Sequence, residues 1–357
     1  MPVGVLGLVN AYWNWLMSSL PPVWCTMLKI FTTMFVGLYL SSLTLSRVVV
    51  AGGGRATRRS GVSGAGSKAT KSGAGKGGDA MKGGGDVVVY AEGQWFTSKK
   101  DNRSKYYAEI WILKYSACWI ASVGVVIATG AYEWWGKWGY IIYCGSCAAP
   151  ALAWPLNFPL KGDKKLPKSE WYILKANLWI AIFSFIGNYW YTHYFYGVLK
   201  ADYTFEAHRL NNVPISMYLM THAYFMFYHV LSNCALRYIR SKYVNNAQRF
   251  VFECAAIAVM SYSTAFMESL TICGFPYYRF EDRDMAYTLG SAFYGIYFLV
   301  SFPMFLRIDE DETKDLMPYS QVFWESMGSG MLVMCLLDFV RLWLRIDFTM
   351  KAGGGHY

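Results

Sequence analysis

The stretch ILKANLWIAIFSFIGNYWYTHYFYG, residues 173–197, decides the architecture. Its 25 residues hold one formally charged side chain, Lys175, close to the start. About 20 consecutive apolar residues suffice to cross a bilayer core, so this run is of spanning length. Similar runs occupy about 107–129, 139–158, 214–236, 250–273, 288–306 and 322–344. An earlier one, about 23–46, has no basic residue ahead of it and no clear small-residue cleavage site. It reads as an uncleaved anchor, with a cleaved or organellar targeting peptide as the alternative. The expected fold is an all-α, multi-pass transmembrane helix bundle with about seven core helices plus one N-terminal anchor helix.

Composition agrees. Of 357 residues, 55% are hydrophobic, 18% aromatic and 16% charged, whereas soluble domains carry about 25% charged residues. The net charge of +10 would suit nucleic acid, but residues 47–86 hold eight Lys/Arg against two Asp, a net +6 in one tract without aromatics until Tyr90. A glycine-rich basic tract with nothing to stack on bases signals topology rather than nucleic-acid binding. The chain divides into an N-terminal anchor (1–50), a Gly/Lys-rich linker (51–93) whose composition cannot order itself, a transmembrane domain (94–346) and a C-terminal tail (347–357). Basic residues cluster at 99–105, 161–168 and 237–249. By the positive-inside rule these loops and the linker are expected on the cytosolic side. The acidic loop 307–320 falls among them, out of pattern, though acids count little in this rule.

Polar residues inside spanning helices are expensive and point to function. At 100° per residue, Tyr218, His222, His229 and Asn233 fall within about 60° of one another. Asn177, Ser184, Asn188 and Tyr191 form the same stripe on the preceding segment. The two stripes are expected to face each other, with interhelical hydrogen bonding as the competing reading. In SYSTAFMESLTICGF, residues 261–275, Glu268 lies several residues inside the membrane. A carboxyl there is favoured in its neutral form, as a proton donor requires. Asp338 and Arg341, spaced i, i+3, are expected to pair structurally. Cys144 and Cys147 have redox spacing but lie in an apolar run, and read as packing. Four core histidines are too few for the clustered boxes of a membrane di-iron oxygenase. Gly75-Lys76-Gly77 lacks the Ser/Thr of a phosphate-binding loop.

From Trp171 onward the text becomes specific. KANLWIAIFSFIGNYWYTHYFYGVLKADYTFEAHRLNNVP (175–214), THAYFMFYHVLSN (221–233), FPYYRFEDRDMAY (275–287) and FYGIYFLVSFPMFLRIDED (293–311) closely resemble the cycloeucalenol cycloisomerase family, the cyclopropyl-sterol isomerases of plant-type sterol synthesis. The resemblance covers about 105–346. It implies opening of the 9β,19-cyclopropane ring of cycloeucalenol to give obtusifoliol, in a multi-pass endoplasmic-reticulum protein. It also implies a sterol substrate, contact with membrane lipids, no nucleic acid, and neither metal nor redox cofactor.

That chemistry needs an acid to protonate carbon 19, a pocket tolerant of positive charge near carbon 9, and a base to take the proton from carbon 8. Glu268, or an acid of the 275–284 loop, is the expected donor. His222 or His229 is the expected acceptor, and Tyr and Trp rings would stabilise the cation. Asn188, Tyr191, His193, Asn233, Tyr277, Tyr278, Asp282 and Asp284 are the expected substrate contacts. Two alternatives stay open: a non-catalytic sterol-binding membrane protein, and a sterol double-bond isomerase using the same acid and base logic.

Overall fold

A computed structural model describes residues 22–45, 49–50, 89–90, 92–273, 276–311 and 313–346. Most of the linker and the tail 347–357 lie outside the described residues. The segment expected as an anchor forms α1 (Pro22–Leu43), and a short antiparallel pair, β1 (Val49–Val50) and β2 (Val89–Tyr90), brackets the expected linker. The bundle follows as α2 (Arg103–Thr129), α3 (Lys137–Ala148), α4 (Pro150–Asn157), α5 (Tyr172–Ile186), α6 (Thr192–Leu199), α7 (Ile215–Lys242), α8 (Ala247–Cys273), α9 (Ser291–Leu306) and α10 (Tyr319–Trp343). Two-residue strands β3 (Asp202–Tyr203), β4 (Arg209–Leu210), β5 (Val213–Pro214) and β6 (Tyr278–Arg279) tie the loops at one end. The all-helical membrane bundle expected from the sequence is the fold observed.

By length and composition, helices over Arg103–Thr129, Ala247–Leu270, Arg283–Leu306 and Tyr319–Trp343 can each cross a membrane. The other three expected spans depart for local reasons. Pro150 divides 137–157 into α3 and α4, because proline supplies no N–H to the preceding turn. A π turn at Gly187–Tyr191 separates α5 from α6. Helix α7 is 28 residues long but rich in polar side chains. Helix α2 begins at Asn102, whose side chain accepts from the Lys105 N–H at 3.2 Å, and ends at Gly130, which adopts φ 65°.

The end carrying the basic loops is held by a buried ion network. Arg237 on α7 donates Nη1 and Nη2 to Glu109 on α2 at 2.9 and 2.8 Å. Its Nε and Nη2 also reach Glu310, both at 2.8 Å. Lys105 lies 2.8 Å from Glu310 and donates to the Leu306 carbonyl at 3.1 Å, while Lys175 pairs with Asp309 at 2.8 Å. Three cations face three anions, so burial of a net charge is avoided. The acidic loop that broke the charge pattern is thereby explained. Asp309 and Glu310 are partners of buried cations, and Lys105 and Arg237 are structural charges rather than solvated loop markers. Burial alone would raise the Glu310 carboxyl, but Lys105 and Arg237 hold it below the usual carboxylate range.

Residues 93–97 strap across this end. Trp95 stacks on Tyr238 with centroids 4.5 Å apart, its carbonyl accepts from Arg237 at 2.9 Å, and the Gln94 N–H reaches Ser241 at 2.7 Å. The Asp338–Arg341 pair is present at 2.8 Å. Cys144 and Cys147 pack beside Trp119, Met220 and Ala223, and Cys118, Cys144, Cys147, Cys234, Cys254 and Cys335 are free thiols.

Candidate functional site

At the opposite end from the ion network, α8 carries Glu268 into the bundle. Its Oε2 accepts from the Tyr294 hydroxyl on α9 at 2.8 Å, and Tyr228 on α7 hydrogen-bonds the same carboxyl. The Tyr294 ring packs edge-on to Tyr297 at 4.7 Å and lies 5.2 Å from Phe298. A cavity of about 100 Å³ opens beside Glu268. The π turn lends it Gly187 and Asn188, α6 lends Phe195 and Leu199, α7 lends Thr221 and Phe225, and α9 lends Phe293, Tyr294 and Tyr297. Among the described lining residues Glu268 is the only carboxylic acid and no histidine occurs.

The cavity's far wall is made by loops. Strand β3 pairs antiparallel with β6, setting Tyr203 against Tyr278, with ring centroids 5.1 Å apart. Arg279 and Asp202 bridge the same pair at 3.0 Å, and Arg209 donates to the Tyr203 carbonyl at 2.8 Å. Tyr203 and Phe280 from these loops line the cavity. Burial, and then the nearby Glu268, push the Tyr203 phenol above its ordinary range, so it keeps its proton at neutral pH. The resulting chamber is aromatic on most sides with one carboxyl, which suits a developing cation flanked by a proton donor.

The two expected stripes meet in part. Asn177 Oδ1 lies 3.0 Å from His222 Nε2, and Thr221 donates to Asn188 Oδ1 at 3.5 Å. The π turn then rotates the chain, and Tyr191 donates to the Gly330 carbonyl on α10 at 2.7 Å instead of facing α7. A uniform 100° step could not foresee that extra residue in the turn.

Several expected site residues lie elsewhere. His222 lines a different and larger groove, and His229 is sealed among Trp179, Phe225, Phe302 and Phe305 with Nε2 2.8 Å from Ser301. Neither lines the Glu268 cavity. Asn233 donates to Glu109 at 3.2 Å and to Tyr172 at 3.3 Å, at the ion-network end. His193 is buried with its ring 5.7 Å from Tyr196. Tyr277 packs on Tyr132 at 5.9 Å, and the Tyr278 hydroxyl donates to Met217 Sδ at 3.3 Å. Asp282 and Asp284 are exposed, and Asp282 Oδ1 caps the turn beneath it by accepting from the N–H groups of Asp284 and Met285. Of the expected contacts, Asn188 and Glu268 line the cavity. Thr221, Phe225, Tyr228, Tyr294 and Tyr297 escaped the sequence reading. Apolar helices surround each of them with similar aromatics, and no spacing rule links residues on different helices.

Over 246 residues the chain is 42% identical to cycloeucalenol cycloisomerase of Arabidopsis thaliana, a match that spans 68% of this chain and 88% of the relative. No family profile matches, and neither does any solved structure. With that identity sustained over nearly the whole relative, the chain belongs to the cycloeucalenol cycloisomerase family.

Proposed function

We propose that this protein opens the cyclopropane ring of cycloeucalenol, or a close cyclopropyl sterol, to give the 8-ene product, within the endoplasmic-reticulum membrane. Kinship with the plant enzyme supports the reaction class. The observation that carries the mechanism is Glu268, held by Tyr294 at 2.8 Å on the wall of an aromatic cavity.

Glu268 in its neutral form delivers its proton to carbon 19. The C9–C19 bond breaks, carbon 19 becomes a methyl group, and positive charge develops at carbon 9. The faces of Tyr203, Phe225, Phe293 and Tyr297 surround that charge. Glu268 is now a carboxylate held by Tyr294 and Tyr228, and it is the strongest base among the described lining residues. It takes the proton from carbon 8, whose C–H electron pair becomes the C8–C9 double bond. Atoms and charge balance, and the enzyme returns to its starting state. A single acid–base group replaces the Glu–His pair expected from the sequence, since His222 and His229 lie outside the cavity. Its volume of about 100 Å³ is below the roughly 300–1,000 Å³ of drug-sized ligand sites. The β3–β6 pair must therefore yield for a whole sterol to enter.

Membranes containing the protein are supplied with cycloeucalenol and, separately, with an 8-ene sterol, and products are resolved by mass spectrometry. Obtusifoliol from the first and no change in the second supports the proposal. A shifted double bond in the second identifies a double-bond isomerase, and no product from either identifies a binding protein.

A further inference from the structure

The geometry points to a second, membrane-facing binding site in the groove lined by His222, which takes a hydroxysterol through a hydrogen bond from its hydroxyl to His222 Nδ1. The groove has a volume of about 430 Å³, within the range of small-molecule sites and about four times that of the cavity at Glu268. It lies between α3, α4, α5 and α7. Gly145, Ala148, Ala149, Ala153 and Ala181 make its walls low and flat, and Leu152, Leu156 and Phe185 border it. Polar side chains come from α5 and α7: Ser184, Tyr218 and His222. Ser184 turns its hydroxyl to the Ala181 carbonyl at 3.4 Å, and Tyr218 donates to the Leu210 carbonyl at 3.0 Å.

His222 is different, because its neighbours decide which nitrogen carries the proton. Asn177 Nδ2 donates to the carbonyls of Ala151 at 3.2 Å and Ile173 at 2.8 Å. That orientation turns Oδ1 toward His222 Nε2, 3.0 Å away. An amide oxygen only accepts, so Nε2 carries the hydrogen and Nδ1 presents a bare lone pair. Among the described residues Nδ1 has no hydrogen-bond partner, and it belongs to a side chain that lines the groove. An unfilled imidazole acceptor in a mostly apolar slot calls for a ligand with a donor and a large apolar body. Flat walls of Gly and Ala favour a rigid fused-ring body over a bulky branched one. A hydroxysterol meets both requirements, and the choice of sterol among such alcohols rests on the proposed function.

The groove and the catalytic cavity flank one seam: Thr221 faces the cavity and its neighbour His222 faces the groove, as do Asn188 of the π turn and Ser184 of α5 respectively. A sterol held in the groove would lie beside the cavity without occupying it.

The test uses full-length protein in lipid nanodiscs with a diazirine-bearing 3-hydroxysterol, its 3-O-methyl ether, and mass-spectrometric mapping of labelled peptides. The alcohol is expected to label segments 145–156 and 219–222 in wild type and in Glu268→Gln, and the ether to label them about 3- to 10-fold less, the value of one hydrogen bond. His222→Phe is expected to lower the alcohol's labelling by the same factor. Ala153→Phe, which fills the slot and leaves the Asn177–His222 bond in place, is expected to remove it. Equal labelling by alcohol and ether, or labelling confined to segments 188–203 and 286–297, overturns the second site. Because labelling needs no turnover, failure of the isomerase reading shows in the product assay and leaves this result standing.

Discussion

Replacing Tyr294 by Phe tests whether the Glu268 carboxyl is the group that gives and regains the proton. The hydroxyl lies 2.8 Å from Glu268 Oε2. Before the reaction it bonds to a neutral carboxyl, an interaction worth about 1 kcal/mol, whereas after proton transfer it bonds to a carboxylate, worth about 1.5–3 kcal/mol. Only the difference, about 0.5–2 kcal/mol, acts on the barrier, and at 1.36 kcal/mol per decade it predicts about a 2- to 30-fold fall in kcat. Tyr228 still hydrogen-bonds the carboxyl, so the loss stays at this level, and adding Tyr228→Phe deepens it. Glu268→Gln keeps the shape but has no acidic proton, and kcat should fall by about 10²- to 10⁴-fold or more. Initial rates on cycloeucalenol across substrate concentration separate kcat from KM. Full kcat in Glu268→Gln, or a rise in KM with unchanged kcat in Tyr294→Phe, would refute the assignment, since either outcome means the carboxyl binds sterol without moving a proton.

Four further expectations concern the scaffold. Arg237→Met leaves Glu109, which is fully buried, without its cation, and thermal unfolding in detergent should show a loss of about 3–5 kcal/mol; a variant as stable as wild type contradicts the network's role. Burial pushes the Asp163 carboxyl, in the loop before α5, up to about 6 against a Ser104 hydroxyl bond that lowers it. A carboxyl raised in the folded state makes stability fall as pH climbs from about 4 to about 6, so the stability of Asp163→Asn relative to wild type should rise across that window, and a constant difference refutes the shift. Asn102-Arg103-Ser104 is a glycosylation sequon that the proposed cytosolic orientation leaves unmodified; Asn102 Nδ2 also donates to the Asp309 carbonyl at 2.7 Å, so an acceptor engineered into the loop 131–136 gives the cleaner readout, and glycan on Asn102 but not there inverts the topology. A protein starting at Gly93 retains the Trp95–Tyr238 stack and the carbonyl on Arg237 and should keep its turnover, whereas one starting at Asp101 should lose stability; inactivity of the first despite correct insertion shows that α1, whose Phe31 packs on Phe266 at 4.8 Å, does more than anchor.

The sequence by itself determined the helical bundle, four of its expected spans and its family. Long apolar runs leave the backbone no solution in lipid other than satisfying its own hydrogen bonds, and a pattern of length and charge can be read without knowing any contact. It also singled out Glu268 as a candidate, because an acid amid SYSTAFMESLTICGF is conspicuous wherever that helix packs. It did not determine which polar residues converge. On these helices apolar residues face both lipid and core, so periodicity separates inside from outside poorly, and the π turn at 187–191 shifts every later residue off a uniform 100° step. Only the tertiary structure placed Tyr294 and Tyr228 on the Glu268 carboxyl, sent His222 to a separate groove and sealed His229 in rings. It also showed that the misplaced acids of 309–310 answer buried cations contributed by α2, α5 and α7. Such pairings join residues far apart in the chain, as for Lys105 and Glu310, and they arise from how helices are set against one another, information that no single helix carries.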